Sequence, residues 1–200
     1  MALLLAAVAP VRAQVPGVEF RLNPRIGLYA PLSNLGEASI GTSVETFEMQ
    51  SSFAIGLGAE LQLPALPFGI RANLDYATST SVDTETGLPG EAPNASLLAL
   101  VGDLVFRPLP SMVVVEPYFL AGGGIKSYDF DTSGTFDPEG FATESDPTLH
   151  LGAGLDFGAG PFGFNAELSD YISWFELVEG GDSEMQHDVF ITVGFSIGLL

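Results

Sequence analysis

Three residues in the last third of the chain, His150, Glu167 and Ser169, are of the types that perform ester hydrolysis. A serine hydrolase combines a nucleophilic hydroxyl with a histidine that takes its proton and a carboxylate that orients the histidine. If the two segments pair with Gly152 opposite Glu167, His150 lies opposite Ser169. The alternative is a buried hydrogen-bond network that ends in a histidine. We expect no enzyme, because no motif for an oxyanion site accompanies these residues.

A second candidate is the stretch YDFDTSGTFDPEGF, residues 128–141, which has the opening of a calcium-binding loop. Its oxygen donors are Asp129, Asp131, Ser133 and Asp137. The bidentate glutamate at the last position of such a loop is missing, because Gly140 occupies that position. We therefore expect a solvated acidic loop and no cofactor, with a calcium site as the alternative.

Opposite charges recur where tight hairpins would place them across from each other. A turn between Ala65 and Leu66 puts Glu60 opposite Arg71, and a turn near residues 111–112 puts Arg107 opposite Glu116. Opposite charges in a narrow dry interior must pair, because isolated charges are expensive to bury. The charges expected inside are Glu60, Asp75, Asp103, Glu116, Asp156 and Glu167 against Arg71, Arg107 and Lys126.

The segments that must position these residues alternate between apolar and small or polar side chains, which is the period of a β-strand. In SFAIGLGAELQL, residues 52–63, Phe53, Ile55 and Leu57 share one face, whereas Glu60 lies on the other among glycines. Eight segments are strand-like: residues 18–30, 52–63, 68–78, 96–107, 115–127, 148–158, 162–171 and 188–200. The phase of 115–127 is ambiguous, and we place Glu116, Tyr118, Leu120 and Lys126 inside.

The faces and the connections together predict a transmembrane barrel. The second face is too small and too sparsely charged for a water-exposed surface but suits the crowded lumen of an eight-stranded barrel. The Leu, Ile, Val and Phe face then contacts lipid, and closure leaves no unpaired strand edge in hydrocarbon. Short links near 64–67, 108–114 and 159–161 alternate with long ones near 31–51, 79–95, 129–147 and 173–187, an arrangement typical of outer-membrane barrels.

Composition excludes several functions. The chain has 25 acidic and six basic residues, so it should repel nucleic acid. Most of the acids lie in the four long connections, where cations or surface ligands are the expected partners. The chain has no cysteine, which excludes disulfides and thiol chemistry. Charged residues make up only 16% of the chain, below the ~25% of ordinary soluble domains.

The N-terminus predicts export. Residues 1–13, MALLLAAVAPVRA, combine a short apolar run with a small-residue cleavage pattern, and we expect a cleaved signal peptide. Residues 14–200 then form one barrel domain.

The pattern resembles the eight-stranded outer-membrane barrels of the OmpA, OmpX and OmpW type. The resemblance covers the mature chain and is carried by GLGAEL, PYFLAGGG, GAGLDFG, FNAELSDY and the alternating last strand. It implies an all-β, eight-stranded antiparallel up-and-down barrel in the outer membrane of a diderm bacterium. It also implies a monomer whose partners are outer-membrane lipid and the outer-membrane assembly machinery. The chain ends on Leu199-Leu200 instead of an aromatic residue, so recognition by that machinery would depend on Phe195 and the alternation.

The expected function is a non-enzymatic structural or interaction platform that carries four acidic extracellular loops. One alternative is a small cation-preferring pore or a conduit for hydrophobic solutes. The other is a lipid-modifying outer-membrane esterase that uses His150, Ser169 and Glu167.

Overall fold

The computed structural model describes residues 18–40, 43–63, 66–84, 94–109, 115–131, 145–158, 162–175 and 184–199. The predicted signal peptide lies outside these residues. The strands are β1 Glu19–Pro31, β2 Gly36–Ile40, β3 Ser43–Met49, β4 Ser52–Gln62, β5 Phe68–Thr84, β6 Asn94–Phe106, β7 Val115–Asp131, β8 Ser145–Gly158, β9 Phe162–Phe175 and β10 Glu184–Gly198. In the described part of the chain, no helix is long and apolar enough to cross a membrane.

Eight of these strands, β1 and β4 to β10, form a closed antiparallel barrel. Each pairs with its neighbour in the sequence, and β1 also pairs with β10, which closes the sheet. Closure gives every strand two partners, so no edge is left unpaired within the barrel wall. The predicted eight-stranded antiparallel barrel is confirmed.

One connection differs from the prediction. The region predicted as the first long loop contains an additional hairpin, because β2 pairs with β3 and β3 continues onto the end of β5. Several barrel strands also extend further than predicted at the long-connection end. For example, β5 runs to Thr84 and β7 to Asp131. The end of β5 is mainly polar, so the hydrophobic period does not mark it. At the end of β7, Tyr128 and Phe130 alternate with polar residues but lie on the inward face, the reverse of the apolar-outward pattern.

Strand pairing spirals around the barrel. Each residue of the row that begins at Arg21 on β1 is paired with the next one on the neighbouring strand. In order, the row contains Glu60, Arg71, Asp103, Gly122, His150, Tyr171 and Asp188. It returns to β1 at Pro31, which is ten residues after Arg21. A shift of this kind requires the strands to tilt by roughly 40° from the barrel axis. This one inclined row therefore carries ionisable groups from the short-connection end to the long-connection end of the lumen.

The outward face is mainly apolar on every barrel strand. Phe53, Ile55 and Leu57 are each about half exposed, whereas Glu60 on the same strand is fully buried. The ambiguous strand β7 has the predicted phase, because its inward residues are buried: Glu116, Tyr118, Leu120 and Lys126. Exposed aromatic side chains lie near both ends of the wall, including Trp174 at one end and Phe162 at the other. This pattern is that of a lipid-facing barrel with aromatic girdles.

Aromatic side chains fill the interior toward the long-connection end. Phe190 lies between Tyr29 and Tyr171, with ring centroids 5.4 and 5.2 Å away, and Tyr171 stacks on His150 at 4.3 Å. Leu35, which precedes β2, and Met49, the last residue of β3, are buried in the same cluster. An eight-stranded barrel has only enough interior space for side chains, and these rings occupy much of it.

Candidate functional site

The candidate site is the charged lumen. Its centre is an arginine network, which consists of Arg25, Arg71 and Arg107 with the carboxylates of Glu60, Asp75, Glu116, Asp156 and Glu167. All eight side chains are at most 11% exposed. Charges this deeply buried are tolerated only when hydrogen-bonded partners compensate them.

Arg71 joins two walls of the barrel. Its Nη2 donates to Oε2 of Glu60, its cross-strand partner, at 2.6 Å. Its Nη1 reaches across the lumen to Oε2 of Glu167 on β9 at 2.7 Å. Charge-assisted hydrogen bonds of this length are among the stronger ones in proteins. Arg71 therefore spans the lumen as a crosslink between β4, β5 and β9.

Arg107 makes a second crosslink nearer the short-connection end. Its Nη2 donates to Glu60 Oε1 at 2.9 Å, and its Nη1 donates to Glu116 Oε2 at 3.2 Å and to Asp156 Oδ2 at 2.6 Å. Glu60 lies directly opposite Arg71, as predicted. Arg107 and Glu116 are in contact but are not directly opposite each other, because the register of β6 and β7 is shifted by two residues from the prediction. Glu60 is shared, because each of its oxygens accepts from a guanidinium.

Tyr118 lies between the two guanidinium groups. Its ring centre is 4.8 Å from Arg71 Cζ and 4.9 Å from Arg107 Cζ, and its hydroxyl donates to Glu167 Oε2 at 2.8 Å. A Cβ on Gly154 would lie 2.3 Å from the ring, so only glycine leaves room for it there. The ring separates two like charges and fills the space between them.

Arg25 is the member of the network that the sequence analysis missed. Its Nη1 donates to Glu167 Oε1 at 2.7 Å and its Nη2 to Asp75 Oδ1 at 2.9 Å. The first strand alternates less regularly than the others, so its inward face could not be assigned. The sequence does contain one indication that Arg25 faces inward, because it is a lone arginine between apolar residues in NPRIGL, residues 23–28.

A separate aspartate cluster fills the lumen toward the long-connection end. Asp188 accepts hydrogen bonds from Lys126, from Tyr29 Oη at 2.5 Å and from Tyr128 Oη at 2.7 Å. Lys126 lies inside the barrel as predicted. Asp188 was not among the predicted lumen charges, although it shares its parity with the buried Phe190. With this cluster the lumen is crossed by bonded side chains at two levels.

The proposed triad is wrong as a geometric arrangement. Gly152 pairs with Ser169 and His150 pairs with Tyr171, so the predicted register of this hairpin is shifted by two residues. His150 Nδ1 contacts Asp103 Oδ1 at 2.8 Å, and Glu167 is bonded to arginines and Tyr118. The histidine and the glutamate are therefore engaged with other partners and do not form a relay with Ser169.

The calcium candidates are only partly described. Asp129 is exposed and pairs with Ser96, and Asp131 is the last residue of β7. Ser133 and Asp137 lie outside the described residues. Among the residues that the structure does describe, no group of three or more His, Asp or Glu side chains is arranged to hold a metal ion. The calcium site stays a sequence-based alternative.

Three solved structures share the fold. OprG from Pseudomonas aeruginosa has 18% identity over 90% of this chain and 95% of its own, with a TM-score of 0.63. Neisserial surface protein A has 10% identity over 91% and 99%, with a TM-score of 0.55. A major outer membrane protein from Thermus thermophilus has 15% identity over 92% and 100%, with a TM-score of 0.53. No protein-family model and no curated protein sequence matches the chain. The chain has the fold of the eight-stranded outer-membrane barrels.

Proposed function

We propose that the chain is a monomeric, non-enzymatic barrel of the outer membrane that conducts no steady ion current and serves as a platform for its acidic extracellular connections. The observation that carries the proposal is the closed lumen. Arg25, Arg71, Arg107 and Lys126 each bond to a buried carboxylate, and several of these bonds join strands that are not neighbours. An ion that crossed the lumen would have to break these desolvated pairs.

The long connections are acidic and contain no basic residue. After Arg12, the remaining five basic residues are Arg21, Arg25, Arg71, Arg107 and Lys126, and all five belong to barrel strands or their ends at inward positions. The four long connections contain acids but neither Lys nor Arg. Such a surface attracts divalent cations and basic molecules and repels polyanions. The proposed partners of the platform are therefore cationic.

Planar-bilayer recording tests the closed lumen. Purified protein that has refolded into lipid should give no steady current at moderate voltage. Tyr118→Ala is the matched perturbation, because it removes the ring between two arginines without leaving a carboxylate unpaired, and we expect it to produce brief openings. A steady current from the unmodified protein would contradict the proposal.

A cation-preferring pore is the second candidate, and one observation favours it. Near the short-connection end, the buried amides of Asn23 and Asn165 and the Oδ1 of Asp156 have no hydrogen-bond partner among the described residues. Buried polar groups without protein partners are normally hydrated. If the unmodified protein does conduct, the acidic excess of the lumen predicts that potassium permeates better than chloride.

A further inference from the structure

One histidine–aspartate pair lies on the outside of the barrel instead of in the lumen. His187 Nδ1 and Asp170 Oδ2 are 2.7 Å apart, on the adjacent strands β10 and β9, and their side chains are 33% and 28% exposed. Asp170 pairs with Val189 on one side and with Leu151 on the other, and both of these face outward. The carboxylate therefore lies in an otherwise apolar part of the wall.

No other charged or imidazole side chain occupies an outward position between the aromatic girdles of the described strands. On this face the remaining positions are apolar, small, hydroxyl-bearing or proline. Asp129, which also points outward, lies at the outer end of β7. Ionisable groups that face lipid are costly, and where they occur they mark functional sites by default.

The depth of the pair follows from its distance to Trp174, an exposed girdle residue. Met185 pairs with Trp174, and His187 lies two residues further along β10. Asp170 lies four residues below Trp174 on β9, which corresponds to roughly 10 Å along the membrane normal for a tilted strand. His187 therefore lies roughly 5 Å and Asp170 roughly 10 Å below the girdle, so the imidazole is the member of the pair nearer to the level where headgroups join acyl chains.

The pair leaves acceptors without partners. Among the described residues, no hydrogen bond reaches His187 Nε2, and Asp170 Oδ1 also lacks a partner but is fully buried. The acceptor that a lipid can reach is therefore Nε2 of the one-third exposed imidazole. A carboxylate only accepts, and an imidazole that donates its Nδ1–H to aspartate presents Nε2 as an acceptor. Unmet polar groups next to hydrocarbon cost free energy, so they favour a partner that brings donors. Diester phospholipids bring only carbonyl acceptors to this depth, whereas amide-linked or hydroxylated acyl chains bring N–H and O–H groups.

We propose that His187 and Asp170 form a lipid-recognition site on the outer wall that prefers lipids with hydrogen-bond donors at the acyl linkage. The inference rests on the proposed membrane-spanning orientation. It differs from the platform role in its location, since it concerns the wall between β9 and β10 and not the extracellular connections.

The fluorescence of Trp174 can report which lipid lies next to the site. Trp174 is the only tryptophan in the chain, it is 57% exposed, and it lies beside the pair. The protein is reconstituted in vesicles of brominated phosphatidylcholine, which quenches tryptophan from the lipid phase. Part of the brominated lipid is then replaced by ordinary phosphatidylcholine or by sphingomyelin, which has the same headgroup but an amide and a hydroxyl at the linkage. A third arm uses lipid A, whose amide-linked hydroxyacyl chains distinguish the linkage chemistry from the phosphocholine headgroup.

We expect sphingomyelin and lipid A to restore Trp174 fluorescence more than an equal fraction of ordinary phosphatidylcholine does. The preference should be about fivefold in relative affinity, the equivalent of one net hydrogen bond. The double variant Asp170→Leu, His187→Leu places apolar side chains at outward positions, so it should fold and lose the preference. The control Leu98→Ala, an outward position on β6, should keep it.

Two results would overturn the inference: equal recovery by all lipids with the unmodified protein, or a preference that persists in the double variant. Absence of any quenching by brominated phosphatidylcholine would instead refute the membrane-spanning orientation. The two failures are therefore distinguishable.

Discussion

Glu60 and Glu167 lie on opposite walls of the barrel and are held by one guanidinium, that of Arg71, at 2.6 and 2.7 Å. Glu60 also accepts from Arg107, and Glu167 also accepts from Arg25. Removing one charge in this part of the lumen takes an ion-pair partner away from at least one other buried charge. The network therefore responds to substitution as a unit, and this response can be measured.

Glu60→Gln should destabilise the barrel by about 3–5 kcal/mol, because Arg71 and Arg107 lose the carboxylate that they share in a desolvated site. Urea unfolding in detergent micelles, followed by Trp174 fluorescence, measures the change. Glu19→Gln is the control, since Glu19 bonds to Arg21 at 2.9 Å but its side chain is 37% exposed. Exposed pairs contribute only about 0–1 kcal/mol. Similar losses in the two variants would argue against a dry lumen.

Leu57→Arg tests whether the outer wall contacts lipid. Leu57 is 47% exposed near the middle of β4, so an arginine there should cost about 2–4 kcal/mol in a bilayer. Leu66→Arg, in a short connection between β4 and β5, should cost about 0–1 kcal/mol because that position is near the interface. The comparison is made by unfolding both variants from lipid vesicles. If Leu57→Arg folds with unchanged stability, the lipid-facing assignment is wrong.

Gly56→Ala should destabilise the barrel by displacing the carboxylate of Asp75. A Cβ at position 56 would lie 2.0 Å from Asp75 Oδ1 and 3.3 Å from Arg25 Nε. Overpacking of this kind costs about 1–3 kcal/mol. At Gly102 an added Cβ meets nothing within 4 Å, so Gly102→Ala should change stability by less than about 0.5 kcal/mol. Thermal unfolding of the two variants would show no difference if Asp75 were not held in place.

Calcium should have no specific effect. The acidic connections attract divalent ions in general, and the candidate loop lacks its closing glutamate, so we expect equal concentrations of calcium and magnesium to shift the melting temperature equally. The measurement is the melting temperature and the protease sensitivity of the 132–144 connection at millimolar ion concentration. A calcium-specific shift that disappears in Asp129→Asn would establish the site instead.

Alternation in the sequence predicts the faces of the strands but not their partners. A strand has a period of two, so a register shift of two residues leaves every side chain on its original face. For this reason the inward positions of His150 and Ser169 were predicted, whereas their partners were not. A short turn limits the register but does not fix it, because Glu60 lies opposite Arg71 as predicted, whereas the hairpins around 108–114 and 159–161 are each shifted by two residues from the prediction.

Contacts between side chains across the lumen cannot be predicted from the alternation of apolar and polar residues. Arg25 meets Glu167 because pairing shifts by ten residues around the barrel, and this shift depends on all eight strand pairs at once. The β2–β3 hairpin escaped prediction for a different reason, since its residues are mainly polar and lack an apolar stripe. Local sequence thus specifies which way a side chain points, while barrel closure specifies what it meets.

The Arg25–Glu167 bond also constrains the order of folding. The two residues are 142 positions apart, on the first strand and on the strand before the last, and Arg25 also needs Asp75 on β5. In a partly assembled sheet, β1 and β10 are not yet paired. Arg25 and Glu167 are then not bonded to each other and are exposed to membrane or water. The final closure of the seam between β1 and β10 is therefore the step at which the charges become neutralised together. Such a barrel should close in an all-or-none step, with few half-closed forms that survive long enough to be trapped.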